Sequence, residues 1–218
     1  RNHEVLRIFA EHGAPESITY ESKPHIGTDV LTAVVKEMRK YICAHGGEVR
    51  FHSQVTDIQT HSNNGQKILR KLKIYDSQKK ETYLLDTDLA VFAIGHSARD
   101  TFSMLYHHGL PMQPKAFAVG VRIEHPQEMI NQDQYGKNYP SFLPAAPYKL
   151  TANLDNGRGV YTFCMCPGGY VVNASSEEHR LAVNGMSYSR RDSQNANTAV
   201  IVTVSPDDFE SDHPLAGV

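Results

Sequence analysis

Three groups of residues carry types and spacings from which chemistry can be built. The first is Ile94-Gly95-His96-Ser97, which follows the apolar run Leu89-Ala90-Val91-Phe92-Ala93 and precedes a helix-forming stretch. A strand that ends in glycine and turns into a helix aims backbone N–H groups at one point, where they stabilise a phosphate or hold a cofactor edge. Gly95 allows close backbone approach. The plainer alternative is an ordinary strand-to-helix turn with Ser97 as the helix cap.

The second group is Cys164-Met165-Cys166, followed by Pro167-Gly168-Gly169. Thiols two apart on an extended strand point to the same face. They are then placed for a soft metal, or for chemistry beside a redox cofactor. A structural zinc site takes four ligands, usually as two spaced pairs. The remaining cysteine, Cys43, falls in a predicted helix, so no metal is expected. Packing as a small apolar group is the commonest fate of a free thiol. The third group is Asn184-Gly185-Met186-Ser187, followed by Arg190, Arg191, Asp192, Asn195 and Asn197. Arg190 or Arg191 can grip a carboxylate or phosphate in bidentate fashion; the bland alternative is a solvated loop. No serine sits in a Gly-x-Ser-x-Gly elbow, and the spacing of the 12 histidines assigns none of them as a catalytic base.

The elements that must position these groups are legible from periodicity. A short amphipathic helix is predicted over 3–12, stopped by Gly13 and Pro15. A second starts at Thr28, a candidate N-cap, with Asp29 suited to the positive helix end. Val30, Val34, Met38 and Ile42 then recur at four-residue spacing until Gly46-Gly47. Short strands are predicted around Val49 and Phe51 and around Val55 and Ile58. The turn Asn63-Asn64-Gly65 leads to a strand over 67–75. Residues 82–94 read as a strand buried on both faces. A helix over 98–109 follows, then an alternating strand over 115–124, a short helix over 126–130 and a loop over 131–147. Strands are predicted over 148–154, 159–165, 169–175 and 197–204. The expected fold class is α+β, a mixed α/β arrangement with an antiparallel β-meander and a further mixed sheet. Gly109, Pro111 and Pro114 mark an expected boundary between domains 1–114 and 115–218.

Bulk properties narrow the function classes. The 218 residues carry a net charge of -2, which gives no reason to expect nucleic acid or an anionic membrane as partner. No apolar run approaches the roughly 20 residues of a membrane span. Three cysteines do not make a disulfide framework and point to a reducing, cytoplasmic compartment. The polar start without Met and the abrupt end at Gly217-Val218 read as the ends of an excised piece.

Five stretches in this order carry a resemblance: 23–29 (Lys-Pro-His-Ile-Gly-Thr-Asp), 93–101 (Ala-Ile-Gly-His-Ser-Ala-Arg-Asp-Thr), 117–126 (Phe-Ala-Val-Gly-Val-Arg-Ile-Glu-His-Pro), 163–169 (Phe-Cys-Met-Cys-Pro-Gly-Gly) and 184–187 (Asn-Gly-Met-Ser). The set resembles a family of bacterial, largely uncharacterised FAD-dependent dehydrogenases. The resemblance implies a glutathione-reductase-like FAD domain interrupted by a substrate-side domain, of which this chain is the central part. N- and C-terminal FAD-domain segments are then its partners, and a small-molecule substrate is implied. The position of Val55 resembles one whose backbone meets the adenine edge. Gly95 and His96 resemble the turn beside the pyrophosphate or ribose. Pro24, His25 and Gly27, with Gly168 and Gly169, are implied to lie toward the flavin, and Cys164 and Cys166 near the reacting centre. The glycine-rich loop that opens such a fold is missing. The implied consequence is that the isolated chain binds FAD weakly or not at all and is inactive. A non-catalytic ligand-binding module and a thiol-redox protein using Cys164 and Cys166 are the alternatives.

Overall fold

The computed structural model describes residues 2–217; Arg1 and Val218 lie outside the described residues. Among those described there are four α-helices and nine strands in three antiparallel sheets, a mixed α+β class. The elements fall into two compact units that interleave along the chain. One comprises 2–48 and Phe117–Val204; the other comprises Val49–Ala116 and 205–217.

The first unit begins with helices α1 (Asn2–Glu11) and α2 (Thr28–Ala44), joined through a single turn of 3-10 helix at Glu16–Thr19. The four-residue spacing read from the sequence places Val34 of α2 at the centre of a small core. Val34 and Ile18 are fully buried and Ala14 nearly so, with Leu6, Phe9, Ile26, Val30 and Met38 packed around them. Each such aliphatic side chain contributes about 1.5–3 kcal/mol when fully removed from water. Helix α2 starts one position away from the sequence expectation. Its N-cap is Gly27, held at φ 86°, while the Thr28 hydroxyl donates to the Ser187 carbonyl instead of capping the helix.

The remainder of this unit is β-rich, and its labels follow those of β1 to β3 in the other unit. Strands β1 (Ser53–Asn63), β2 (Gln66–Asp76) and β3 (Glu81–Asp86) form a meander in that order. Helix α3 (Arg99–His107) packs on β1 and buries Thr101 and Leu105, while Ile58 and Ile74 are buried on the meander. The Asn63-Asn64-Gly65 signal gives a tight hairpin with φ 50° at Asn64 and 80° at Gly65, the left-handed pair such turns require. In the first unit, β4 (Phe117–Pro126) runs into α4 (Gln127–Tyr135), followed by β5 (Thr151–Asn153), β6 (Gly159–Cys166), β7 (Gly169–Asn173), β8 (Val183–Ser187) and β9 (Asn195–Val204). Four of these make a sheet ordered β4-β9-β6-β5, and β7 pairs with β8 as a separate ribbon.

Three expectations change. Residues around Val49 and Phe51 are not a strand, and the short strand predicted around Val55 and Ile58 is the longer β1. Helix α4 extends to Tyr135, into the predicted loop. The apolar run 89–94 is not a strand: β3 ends at Asp86, and Leu89 and Val91 stand 79% and 84% exposed. A strand needs a neighbour for its N–H and C=O groups, and among the described residues none pairs with this run.

Candidate functional site

The candidate residues gather in two places, one within each unit. In the meander unit, Val55 lies on β1, the edge strand, which has one long side unpaired within its sheet. An edge strand turns backbone N–H and C=O groups outward at alternate residues. The register slips between Val55 and Asp57, where a bulge bends the strand. Around this point lies a cavity of about 330 Å³, lined by Ser53, Gln54, Val55, Ile94, Ala98 and Asp100 among others. Gln54 donates to the Asp100 carboxylate at 2.6 Å and so ties the strand to the first turn of α3. A volume of this size sits at the small end of the range for ligand pockets, about 300–1,000 Å³. Gly95 holds φ 70° and no atom lies within 4 Å of where a Cβ would stand, so the turn is open on that side. His96 is exposed. Ser97 is not the cap of α3; that place falls to Ala98, which makes no side-chain cap bond.

Asp57, just after the bulge, accepts a 2.6 Å hydrogen bond from His108 at the far end of α3. This bond and the Ile58 N–H hold its carboxyl below the ordinary carboxylate range despite some opposing desolvation. The helix carrying the 94–98 turn is thus pinned to β1 at both ends.

In the other unit, 24–29, 164–169 and 184–191 come together, and Ser187 joins them. Its carbonyl accepts from Thr28, and it pairs in register with Gly169. His25 Nε2 lies 3.1 Å from the Tyr188 carbonyl, with Pro24 exposed just before it. Asp29 accepts from both the Ser189 N–H and hydroxyl, which lowers its pKa. Glycine is required for this closeness: a Cβ on Gly27 would stand 2.2 Å from Ser189 N, and one on Gly168 1.9 Å from the Arg191 carbonyl. Residues 184–187, for which a solvated loop was the bland alternative, lie in strand β8.

The two thiols do not behave as a regular strand pair. Cys164 has φ 48°, and the β6–β9 register shifts between Phe163 and Cys166. The alternation that would put both side chains on one face is broken by this bulge. Cys164 is exposed. Cys166 is half-buried, and desolvation pushes its thiol pKa up, with Arg122 opposing. Arg122 Nη1 donates to the Cys164 carbonyl at 3.1 Å and to Asn197 Oδ1 at 2.7 Å. Asn197 is fully buried, and its Nδ2 has no partner. Among the described residues no group of three or more His, Cys, Asp or Glu side chains could hold a metal ion.

Sequence reasoning did not single out Arg122, and it named Asn197 only as one polar residue of the third group, not as a fully buried one. Alternation on β4 does put Arg122 and Glu124 opposite the Val119, Val121 and Ile123 face. Only the folded chain shows what they meet there: Glu124 accepts from Val171 N–H on β7 and from the Asn195 side chain on β9. Among the described residues no helix is long and apolar enough to cross a membrane.

Residues 116–218 match the family described as FAD-dependent protein, C-terminal domain-like. An uncharacterized protein of Clostridium beijerinckii is 50% identical over 222 residues, which covers 98% of this chain and 39% of the relative. The chain therefore spans about two-fifths of the length of the curated relative it matches. The family match associates the chain with FAD-dependent proteins.

Proposed function

We propose that the chain is the central part of an FAD-dependent oxidoreductase, a dehydrogenase acting on a small molecule in the cytoplasm. The observation that carries this reading is the convergence, around one cavity, of Val55 and the Ile94–Ala98 turn, segments some forty positions apart. Val55 and its bulged edge strand offer backbone groups to an adenine, and the Gly95-His96 turn offers room to a ribose or pyrophosphate. Residues 1–114 form the cofactor side and 115–218 the substrate side. The segments of the longer protein that flank the chain complete the FAD domain, so the chain alone is inactive. The exposed run 89–94 supports this, since its apolar residues suit a strand flanked by others.

The flavin, when bound, supplies the hydride chemistry. In this reading Pro24, His25 and Gly27, with Gly168 and Gly169, lie toward the flavin and orient it, and Cys164 and Cys166 lie near the reacting centre. The raised pKa of Cys166 keeps its thiol protonated near neutrality, which favours a packing or hydrogen-bonding part over that of a nucleophile.

Titration of FAD into the intact protein tests the reading. Saturable binding with a visible flavin band is expected, weakened by Gly95→Val, which puts a branched side chain at a positive φ. An intact protein that stays colourless and binds no FAD refutes it. Turnover unchanged in a Cys164→Ser, Cys166→Ser double variant removes both thiols from the reaction.

A further inference from the structure

The first unit contains a second cavity of about 610 Å³, lined by Gln127, Asn131, Lys137, Tyr139, Arg190 and Arg191 among others. Its uncharged wall is a closed network. Gln127, 5% exposed, donates to Asn131 Oδ1 and the Ala146 carbonyl and accepts from Gly168 N–H. Asn131 in turn donates to the Tyr139 hydroxyl, and Tyr139 donates to Glu128 at 2.6 Å. Glu128 also accepts from Gln132. These groups are already satisfied by one another, so little of their hydrogen-bonding capacity is left for a ligand.

The cationic groups are in the opposite condition. Arg191 Nε is shut off from solvent and has no acceptor. Among the described residues no carboxylate lies in ion-pair range of Arg190, Arg191 or Lys137, although Glu128 and Asp192 line the same cavity. The Arg191 backbone is fixed: its φ is 53°, its N–H donates to the Tyr188 carbonyl, and its own carbonyl sits against Gly168. A positioned guanidinium at the cavity wall with no carboxylate partner retains the capacity to pair with an oxyanion that enters.

We propose that this cavity binds a small molecule through an oxyanion, a carboxylate or a phosphate gripped by Arg191 with Lys137 and Arg190 at its rim. The planar guanidinium fork matches either group in bidentate fashion. The polar wall of Gln127, Asn131 and Tyr139 holds the shape of the site and excludes a competing internal partner. This site lies within one unit and stands independently of the flavin reading.

Calorimetric titration of the intact protein with succinate and, separately, with inorganic phosphate tests the proposal, with sodium chloride at matched ionic strength as the control. Saturable binding of at least one probe is expected, and the probe that binds identifies the group. Arg191→Met should weaken it about tenfold or more, the factor for one lost charge-assisted pair. Arg191→Lys, which keeps the charge and loses the fork, should fall between; it serves if Arg191→Met does not fold. Binding of neither probe beyond the chloride control, or wild-type affinity in both Arg191→Lys and Lys137→Met, would overturn the proposal. Either result leaves FAD binding by the same preparation, read from the flavin band, as a separate outcome.

Discussion

Gly185→Ala tests the polar cluster at Arg122 and Asn197 directly. A Cβ at this position would stand 2.1 Å from Asn197 Oδ1, 2.2 Å from Arg122 Nη1 and 2.9 Å from Cys166 Sγ. Asn197 is fully buried and sits on the central strand β9, so it has nowhere to go. Arg122 can swing, but only by giving up its bonds to Asn197 and the Cys164 carbonyl. Asn197 already has an unpartnered Nδ2, and it would then lose the partner of Oδ1 as well. Leaving one buried polar group unsatisfied costs about 1–3 kcal/mol, and forcing a methyl into a filled site costs about 1–3 kcal/mol. These two costs overlap, because the swing of Arg122 relieves part of the overpacking. The expected loss is therefore about 2–4 kcal/mol. The control is Gly157→Ala, where φ is 82° but no atom lies within 4 Å of the new Cβ. There only the left-handed backbone matters, at roughly 1–2 kcal/mol. Urea unfolding of both variants against the parent, with slopes compared, separates the cases. A Gly185→Ala loss no larger than that of Gly157→Ala would refute the claim that absence of a side chain at 185 makes room for the cluster.

Other outcomes follow from single contacts. Asp57 has a folded-state pKa below its unfolded value, so its bond to His108 stabilises above about pH 4 and is lost as pH falls through the lowered pKa. Asp57→Asn should therefore cost no more than about 1 kcal/mol near pH 6, because the pair is partly exposed and screened by solvent. That deficit should vanish at acid pH; a gap independent of pH would show that the carboxylate charge is irrelevant. Iodoacetamide at neutral pH should modify Cys43 and Cys164, both exposed, well before Cys166, whose thiol burial pushes up in pKa. Peptide mass mapping with Cys166 labelled first would contradict this. Gln127→Leu leaves the Gly168 N–H, the Ala146 carbonyl and Asn131 without their shared partner. A loss of about 2–4 kcal/mol is expected from more than one orphaned group, and a loss under about 0.5 kcal/mol in chemical denaturation would count against the network.

Local signals in the sequence determined most of the elements. The four-residue apolar spacing of α2, the Asn63-Asn64-Gly65 turn and the alternation of β4 and β9 each depend on neighbours a few positions away. They hold whatever the rest of the chain does. The same logic failed wherever a distant segment competes for a group. Thr28 is the first residue inside α2 and not its cap, which is Gly27, and its hydroxyl donates to the Ser187 carbonyl of a distant strand. The Cys164–Cys166 alternation broke at a bulge set by the register against β9. The run 89–94 reads as strand, yet a strand is defined by partners, and periodicity carries none. The candidate sites divide in the same way. Gly95 was legible from residue type and spacing, and Val55, Gly27 and Gly168 from the resemblance. That Val55 meets the Ile94–Ala98 turn, or that Ser187 joins Thr28 to Gly169, was decided only when the chain closed on itself. Arg122 and Gln127 left no local trace, and Asn197 was legible only as a polar residue, because a buried hydrogen bond is a property of two segments brought together and neither segment records it alone.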